Sequence, residues 1–302
     1  MKIDVEFIEH EVLGQRVVFA LDRDNHDWYF ETVRKKPFRN PVHYHLPKLR
    51  SVLGEEGFRY ADFGANIGTT ALFAAAMGVP TLAIEAGSVN YALLLEAQRA
   101  NGFGALFRPV YVAASDRIGV AQFAENSAWG ALSESGKQTS RVPTAPMAQI
   151  LGMNGFEAAQ VIKVDIEGAE LQALSGFEAI AERAGAPDLI VESNEVACTR
   201  FGYTPQALWS RLMDLGYDVW LLGGRNLTRL TPEAVQTAVV EDVLATKRPA
   251  AFLSGPLGYT LADYDAGAAR ARLEGLSQSA SDEKTQGFVS RQMALLGSAR
   301  AA

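Results

Sequence analysis

The chain has 302 residues, of which 48% are apolar and 21% are charged, a composition typical of a globular protein. Its formal net charge of -7 argues against a basic surface that binds a nucleic acid backbone. A single cysteine, Cys198, excludes disulfide staples and cysteine-rich metal clusters and fits a reducing compartment.

Residues 1–57 are predicted to form a small N-terminal extension. VEFI and RVVFAL have the apolar character of two strands in a hairpin. HLPKLRSVLGEE has leucines at helical spacing and a glycine, Gly54, near its end. We expect this extension to help cover an acceptor site.

Residues 58–250 alternate apolar strands with helices. The predicted strands are FRYADFG, TLAIEA, FRPVYVAAS, AQVIKVDIEG, APDLIVESNE and DVWLLGG. The predicted helices between them are TTALFAAAMG, SVNYALLLEAQRANG, AELQALSGFEAIAERAG and TPQALWSRLMDLGY, with Ser88 and Thr204 as caps. Such βαβ units build a mostly parallel sheet with helices on both faces.

Two regions differ from this alternation. Residues 117–145 are polar with brief apolar patches, and they predict an antiparallel excursion or a loop. Residues 251–302 form a predicted C-terminal extension, rich in Ala, Ser and Arg from Asp265, that is either helical or partly disordered.

No targeting or membrane segment is predicted. The N-terminal MKIDVEFIEHEV carries charges from its second residue, and no apolar run approaches the ~18 residues of a transmembrane helix. We therefore expect a cytoplasmic protein without a membrane partner.

The stretch YADFGANIGTT joins the first predicted strand of this region to its helix. Asn66 stands where the dinucleotide fingerprint has its middle glycine, and no lysine follows as in a P-loop. This excludes an NAD-dependent dehydrogenase and favours a ligand without phosphates, held by a small backbone loop. The predicted cofactor residues of this loop are Asp62, Gly64, Ala65, Asn66 and Gly68.

Glu85 ends the second strand, about 20 residues after Gly64, where an acidic side chain accepts hydrogen bonds from a ribose diol. The turn and Glu85 together favour S-adenosylmethionine (SAM), whose ribose carries no phosphate. Ser115 and Asp116 follow the third strand, where a side chain could meet the adenine amino group. A simple Asx-type turn explains these two residues equally well.

The fourth strand ends in VIKVDIEGAELQALSGF, which carries four charges in a short span. Charge at the end of a central strand is costly to bury unless it is paired or used. Asp165 is predicted to be a catalytic carboxylate beside the cofactor, with Lys163 as a fixed cation that keeps a carboxylate ionised. Glu167 fits a catalytic carboxylate and a structural ion pair equally well. Glu170 is interpreted as an offset to the helix dipole.

Five further residues are candidates for substrate binding. Glu192 and Asn194 follow the fifth strand and either orient a hydroxylated substrate or belong to a solvated loop. His43 and His45 alternate in HYH, so that both could face the active site from the N-terminal extension. Trp129 is either a lid residue or a core anchor of the excursion.

A metal is conceivable but not indicated. The oxygen ligands of Asp165, Glu192 and Asn194 would suit Mg²⁺, but nothing in their spacing demands an ion. The prediction is a site without metal.

Two motifs carry a family resemblance. K-x-D-x-E-G-x-E at residues 163–170, downstream of D-x-G-A-N-x-G at residues 62–68, resembles the FkbM family of SAM-dependent methyltransferases. The resemblance covers residues 58–250 and includes L-x-x-L-x-G-F, PDLIVES, and LGY before DVWLL. It implies a class I (Rossmann-like) α/β fold, with a mostly parallel seven-stranded sheet, helices on both faces and an antiparallel last strand. It also implies SAM as cosubstrate and S-adenosylhomocysteine as product.

The resemblance also indicates the class of reaction. Members of the family commonly methylate hydroxyl groups of sugars, polyketides and other secondary metabolites, which implies O-methylation of a small-molecule acceptor and no nucleic acid partner. An N-methyltransferase of a peptide or protein amide remains an alternative. A non-catalytic SAM-fold binding module is a second alternative, although the cofactor motifs show no damage. The oligomeric state, including a homo-oligomer, is open.

Overall fold

The computed structural model describes residues 3–36, 40–125, 130–132, 139–235, 242–279, 286–287, 289–290 and 292–293. Trp129, one of the predicted substrate residues, lies outside the described residues. The chain folds as two compact units, Met1–Glu192 and Ser193–Ala302. The domain boundaries predicted at residues 57 and 250 stay predictions.

The first unit begins with an antiparallel hairpin and two helices. They are β1 (Val5–Val12), β2 (Gln15–Asp22), α1 (Trp28–Lys35) and α2 (Pro41–Leu53). The side chains of Asp27 and Asn40 cap the two helices by accepting backbone N–H groups of the first turn. The hairpin and α2 confirm the sequence prediction, whereas α1 was not predicted.

The next segment supplies three strands of the parallel sheet and the helices between them. They are β3 (Tyr60–Phe63), α3 (Ala71–Ala76), β4 (Thr81–Glu85), α4 (Ser88–Asn101) and β5 (Phe107–Tyr111). The cap of α4 is Gly87, and the predicted cap Ser88 is its first residue. The third strand was predicted to reach Ser115 but ends at Tyr111, because β4 ends at Glu85 and offers no partner beyond it.

A small second sheet follows, which confirms an antiparallel excursion. Its elements are β6 (Ala113–Ala114), β7 (Gly119–Ala124), β8 (Ala131–Leu132) and β9 (Thr139–Ala145), and α5 (Met147–Asn154) comes after them. β7 pairs antiparallel with β8 and β9, and β6 pairs parallel with β9.

The first unit ends with two more strands of the parallel sheet. The elements are β10 (Val161–Val164), α6 (Glu170–Ala173), α7 (Glu178–Ala181) and β11 (Asp188–Val191). The single helix predicted from AELQALSGFEAIAERAG is wrong. Gly176 takes a φ of +71° between two short helices, a left-handed conformation that a continuous helix cannot contain.

The strands of this sheet run in the order β11-β10-β3-β4-β5, and each neighbouring pair is parallel. Every residue of β3, β10 and β11 is buried, so these strands form the core. The chain leaves β3 toward β4 on one side and reaches β10 on the other. Ligands bind at such a switch point, beyond the carboxyl ends of the strands.

The second unit contains the remaining described elements. They are α8 (Glu195–Arg200), α9 (Pro205–Asp214), β12 (Asp218–Gly223), β13 (Asn226–Leu230), β14 (Val243–Thr246), α10 (Ala250–Ser254), β15 (Thr260–Asp263) and α11 (Ala266–Ser279). β12 is antiparallel to β13 and β14, and β13 is parallel to β15. Thr204 caps α9, with Pro205 as its first residue, as predicted.

This strand order, with its alternating helices, confirms the class I (Rossmann-like) methyltransferase fold. The strand count differs from the seven predicted, since the first unit holds five strands in its parallel sheet and the second unit holds four strands of its own. Within the described ranges, no helix is long and apolar enough to cross a bilayer.

Candidate functional site

A cavity of about 660 Å³ opens at the carboxyl ends of β3, β4 and β10, inside the first unit. This volume lies within the range typical of small-molecule sites. On the side of the sheet, the cavity is lined by Gly64, Asn66, Glu85, Lys163 and Asp165. The structure thus brings together residues of both predicted motifs.

The first turn needs its glycines for close packing. Gly64 has a φ of +82°, and a Cβ there would lie 1.7 Å from the carbonyl oxygen of Asp165. Gly68 has a φ of +89°, and a Cβ there would lie 2.7 Å from the side chain of Leu72. Gly64 lines the cavity, while Gly68 and the buried Ala65 lie behind the lining. Gly64 therefore lets the turn pack against the end of β10, and Gly68 lets it pack against the side chain of Leu72.

Glu85 joins this turn to the end of β4. Its Oε2 accepts the backbone N–H of Asn66 at 2.7 Å, and its Oε1 accepts that of Gly87 at 2.7 Å. Burial raises the pKa of Glu85 to about 7, against the lowering effect of these hydrogen bonds. Each carboxylate oxygen has a second lone pair, so Glu85 can accept further hydrogen bonds from a molecule in the cavity.

Another part of the cavity lining is mainly apolar. Its lining residues after β5 and in the excursion are Val112, Ala113, Ala114, Phe123 and Leu132. Ser115 and Asp116, predicted to meet adenine, come directly after this run and do not line the cavity. The hydroxyl of Ser115 donates to Asp116 at 3.2 Å, on the surface.

Lys163 is the centre of a buried charge group. Its Nζ lies 2.8 Å from Oδ2 of Asp165 and 3.7 Å from Oδ1 of Asp62, and Asp62 also accepts the hydroxyl of Thr70. Burial alone would lower the pKa of Lys163, but the two carboxylates outweigh it and raise that pKa. Asp62 was predicted to bind cofactor, yet it is fully buried and does not line the cavity.

The charge of Lys163 in turn fixes the state of Asp165. Burial raises the pKa of this carboxyl, but Lys163 and a hydrogen bond with Glu192 more than compensate and hold it below the usual value. Asp165 is therefore ionised at neutral pH. Asp62 lies deeper, and burial raises its pKa.

Three carboxylates meet on the cavity wall. Asp165, Glu167 and Glu192 each offer an oxygen, and these oxygens lie within 4.8 Å of one another. Hard oxygen ligands suit Mg²⁺, but acidic groups also gather without an ion, so the arrangement by itself does not identify a metal site. Asn194, predicted beside them, belongs to the second unit, where its side chain caps α8.

A second wall of the cavity comes from the N-terminal extension. Trp28, Tyr29, Thr32 and Lys36 line it. Trp28 and Thr32 are four residues apart and share one face of α1, and Lys36 is the first residue after the helix. The hydroxyl of Tyr29 donates to Thr69 at 3.0 Å, and burial raises the pKa of this phenol. Sequence reasoning missed these residues, although the Asp27 cap before WYFETVRK was a readable helix signal.

The predicted histidines do not line the cavity. His43 is buried against Phe73, its Nδ1 accepts the backbone N–H of Asn40, and burial lowers its pKa to about 4. His45 is fully buried, with Nε2 3.0 Å from Oδ2 of Asp188. Both side chains have partners within the protein core.

The lining residues fit SAM chemically. The apolar end suits a planar adenine, and the carboxylate of Glu85 suits a ribose diol. The acidic group at Asp165 suits the positive charges of the methionine part. The cosubstrate that the family resemblance implies therefore finds a matching group for each of its parts.

Comparison with known families gives one match. The Methyltransferase FkbM domain matches residues 62–219, more than half of the chain. No curated protein sequence matches the chain.

Solved structures of methyltransferases show a distant likeness. A Thermus thermophilus 16S rRNA N2 G1207 methyltransferase in complex with AdoMet and guanosine is 15% identical, with a TM-score of 0.37 over 82% of this chain and 52% of that one. The Pyrococcus horikoshii TYW2 in complex with MeSAdo is 14% identical, with a TM-score of 0.34 over 79% and 69%. The CcbJ methyltransferase from Streptomyces caelestis is 14% identical, with a TM-score of 0.31 over 53% of each chain. The present chain spans about half the length of the T. thermophilus enzyme, and likeness at this level says nothing about the acceptor.

Proposed function

Because the chain belongs to the FkbM family of methyltransferases, we propose that this SAM-dependent methyltransferase methylates a hydroxyl group of a small hydroxylated acceptor such as a sugar. The proposal rests on the group of Asp165, Glu167 and Glu192 on the cavity wall, with oxygens within 4.8 Å of one another. Carboxylates accept hydrogen bonds from several hydroxyl groups at once, and one of them can take the proton of the reacting hydroxyl.

The cofactor end of the cavity supports this orientation. Glu85 would accept the ribose hydroxyls, and the backbone at Gly64 and Asn66 would hold the methionine part. Phe123 and Val112 would face the adenine. The acidic group would then lie beside the methionine part of the bound cosubstrate, whose sulfur carries the methyl group that the acceptor has to reach.

The carboxylates would have different roles in the reaction. Bound SAM supplies a methyl group already activated by a positively charged sulfur. Asp165 has a lowered pKa beside Lys163, so it takes up a proton poorly but stays available as a hydrogen-bond acceptor that orients the hydroxyl. Glu167 lies in the same acidic group, and we assign to it the uptake of the acceptor proton.

The face of α1 would complete the acceptor site. Trp28 lines the cavity although 71% of its surface is exposed, so a broad aromatic face meets solvent at the opening. Such a face stacks on the C–H side of a saturated ring, while Thr32 and Lys36 can bond with its hydroxyl groups. An aromatic wall opposite a carboxylate wall favours a sugar-like acceptor.

The experiment combines binding with product analysis. The purified protein is titrated with SAM and S-adenosylhomocysteine by calorimetry, beside Glu85→Ala and the exposed control Glu56→Ala. It is then incubated with methyl-labelled SAM and either a panel of methyl glycosides or a panel of peptide amides, and the product is located by mass spectrometry and NMR. We expect micromolar binding that only Glu85→Ala loses, and a methyl ether as product.

Other products would overturn defined parts of the proposal. A methyl group on nitrogen, found with peptide amides and not with glycosides, would replace O-methylation with the N-methyltransferase alternative. Binding of SAM without transfer to either panel would favour the non-catalytic alternative. If wild type and Glu85→Ala bound SAM with equal affinity, the assignment of Glu85 to the ribose hydroxyls would be overturned.

A further inference from the structure

The turn after β10 holds Glu167 in an unusual backbone conformation. Glu167 has a φ of 55°, in the left-handed region that side chains with a Cβ rarely adopt, and Gly168 follows with a φ of 108°. Such a conformation persists only where surrounding contacts determine it. The turn therefore needs a group that holds it.

Glu170 supplies that group. Its Oε1 accepts the backbone N–H of Ile166 at 3.0 Å and that of Gly168 at 3.1 Å. These two N–H groups flank Glu167, so one carboxylate oxygen closes the turn from both sides. Glu170 is 2% exposed, which protects both hydrogen bonds from competition with water.

The helix dipole explains Glu170 less well. Its helix, α6, spans only Glu170–Ala173, and the aligned peptides of so short a helix sum to a small dipole. The bonds from Glu170 point back to the turn rather than along the helix. The earlier interpretation of Glu170 as an offset to the dipole is thus replaced by a contact with the turn.

We propose that Glu170 is a positioning residue for methyl transfer, which holds Glu167 in its left-handed conformation with the carboxylate beside Asp165. Glu170 does not line the cavity and would not touch the acceptor. The inference rests on the proposed function, since it gives the fixed position of Glu167 a purpose in proton uptake. Glu170 would lower the freedom of a carboxylate that has to stay within hydrogen-bond reach of the acceptor.

The first test is structural and needs no acceptor. Crystal structures of Glu170→Ala and Glu170→Gln are compared with wild type for the φ of Glu167 and for its distance from Asp165. The amide oxygen of glutamine can still accept the two N–H groups, so Gln is expected to keep the turn and Ala to release it. The exposed first residue of α7 gives the control Glu178→Ala, which should leave the turn unchanged. A left-handed Glu167 at the same distance from Asp165 in the Ala variant would overturn the proposal.

The second test asks whether position matters for turnover. With a glycoside that wild type methylates, Glu170→Ala should lower kcat on the order of 10- to 100-fold, with the Kd of SAM unchanged and with kcat restored by Gln. In a Glu167→Gln background, the Ala substitution should have no further effect on kcat. An equal loss in both backgrounds would show a general structural role and overturn the inference. If wild type methylates no glycoside, the proposed acceptor fails, and the crystal structures alone decide the role of Glu170.

Discussion

The ammonium nitrogen of Lys163 lies 2.8 Å from the carboxylate of Asp165, and both side chains reach the cavity wall from the end of β10. Only 6% of Lys163 is exposed, and its second carboxylate partner, Asp62, is fully buried. Both carboxylates share this one cation: Asp62 is closed off from water, whereas the side chain of Asp165 is 33% exposed toward the cavity. The same contact that stabilises the strand end also sets the charge of this part of the cavity wall.

Removal of this cation should lower the stability of the folded protein. In Lys163→Met, Asp165 and Asp62 lose their shared partner, and we expect the free energy of unfolding to fall by about 3–5 kcal/mol. Urea unfolding at neutral pH measures this. The exposed Arg16–Glu9 pair, 2.6 Å apart, gives the control Arg16→Ala, which should leave the urea midpoint unchanged. A stable Lys163→Met variant would show that the carboxylates are solvated or protonated instead.

The raised pKa of Glu85 should make stability depend on pH. Its pKa is about 7 in the folded protein against an ordinary value of 4.5, so the folded state holds more protons than the unfolded chain between these values. The contribution of Glu85 to stability is thus present at low pH and declines as the pH rises through this window, by about 2–3 kcal/mol. Glu85→Gln, which does not titrate, should lack this decline.

The measurement is the free energy of unfolding of both proteins at several values between about pH 5 and about pH 7.5. Glu56→Gln, at an exposed position, controls for the removal of a charge. Parallel pH curves for wild type and Glu85→Gln would show that Glu85 titrates near its ordinary value and is hydrated in the folded protein.

Parts of the site follow directly from the sequence. Runs of apolar residues in the sequence predicted the strands β4, β10 and β11. The carboxyl ends of parallel strands lie together at one edge of a sheet. Glu85, Asp165 and Glu192 end or follow these strands, and all three line the cavity. The sequence was sufficient here because the position of each residue follows directly from the strand that precedes it.

Other parts depend on packing that a single sequence does not display. Periodicity indicates which face of α1 is apolar, but not that Trp28 and Thr32 line the same cavity as residues at the ends of β3 and β10. The role of Ser115 was predicted from an unbroken third strand, whereas Val112 already lines the cavity where the chain leaves β4. The left-handed turn at Glu167 arises from contacts with Glu170, and residue preference alone disfavours it.

Trp28 should act on acceptor binding alone. Because 71% of its surface is exposed, Trp28→Ala should leave the free energy of unfolding almost unchanged. Loss of an aromatic stacking surface should raise the KM of a methylated glycoside about 10-fold, with kcat and the Kd of SAM unaffected. Steady-state kinetics and calorimetry separate these quantities.

The matched control is Phe7→Ala, since Phe7 is also exposed, at 52%, but lies on β1 and does not line the cavity. An unchanged KM in Trp28→Ala would place the acceptor elsewhere on the cavity wall. Weaker binding of SAM by Trp28→Ala would instead show that Trp28 contacts the cofactor.

His45 should be a residue of stability rather than of chemistry. Its ring and the carboxylate of Asp188 are both fully buried and 3.0 Å apart. His45→Ala leaves a buried carboxylate without this partner, so we expect a loss of about 2–4 kcal/mol in the free energy of unfolding. The kcat of the remaining folded enzyme should stay near the wild-type value, because the ring does not line the cavity. His26→Ala, at an exposed histidine, should change neither quantity. A stable His45→Ala enzyme with a much lower kcat would restore the histidine to the place at the active site that the sequence pattern suggested.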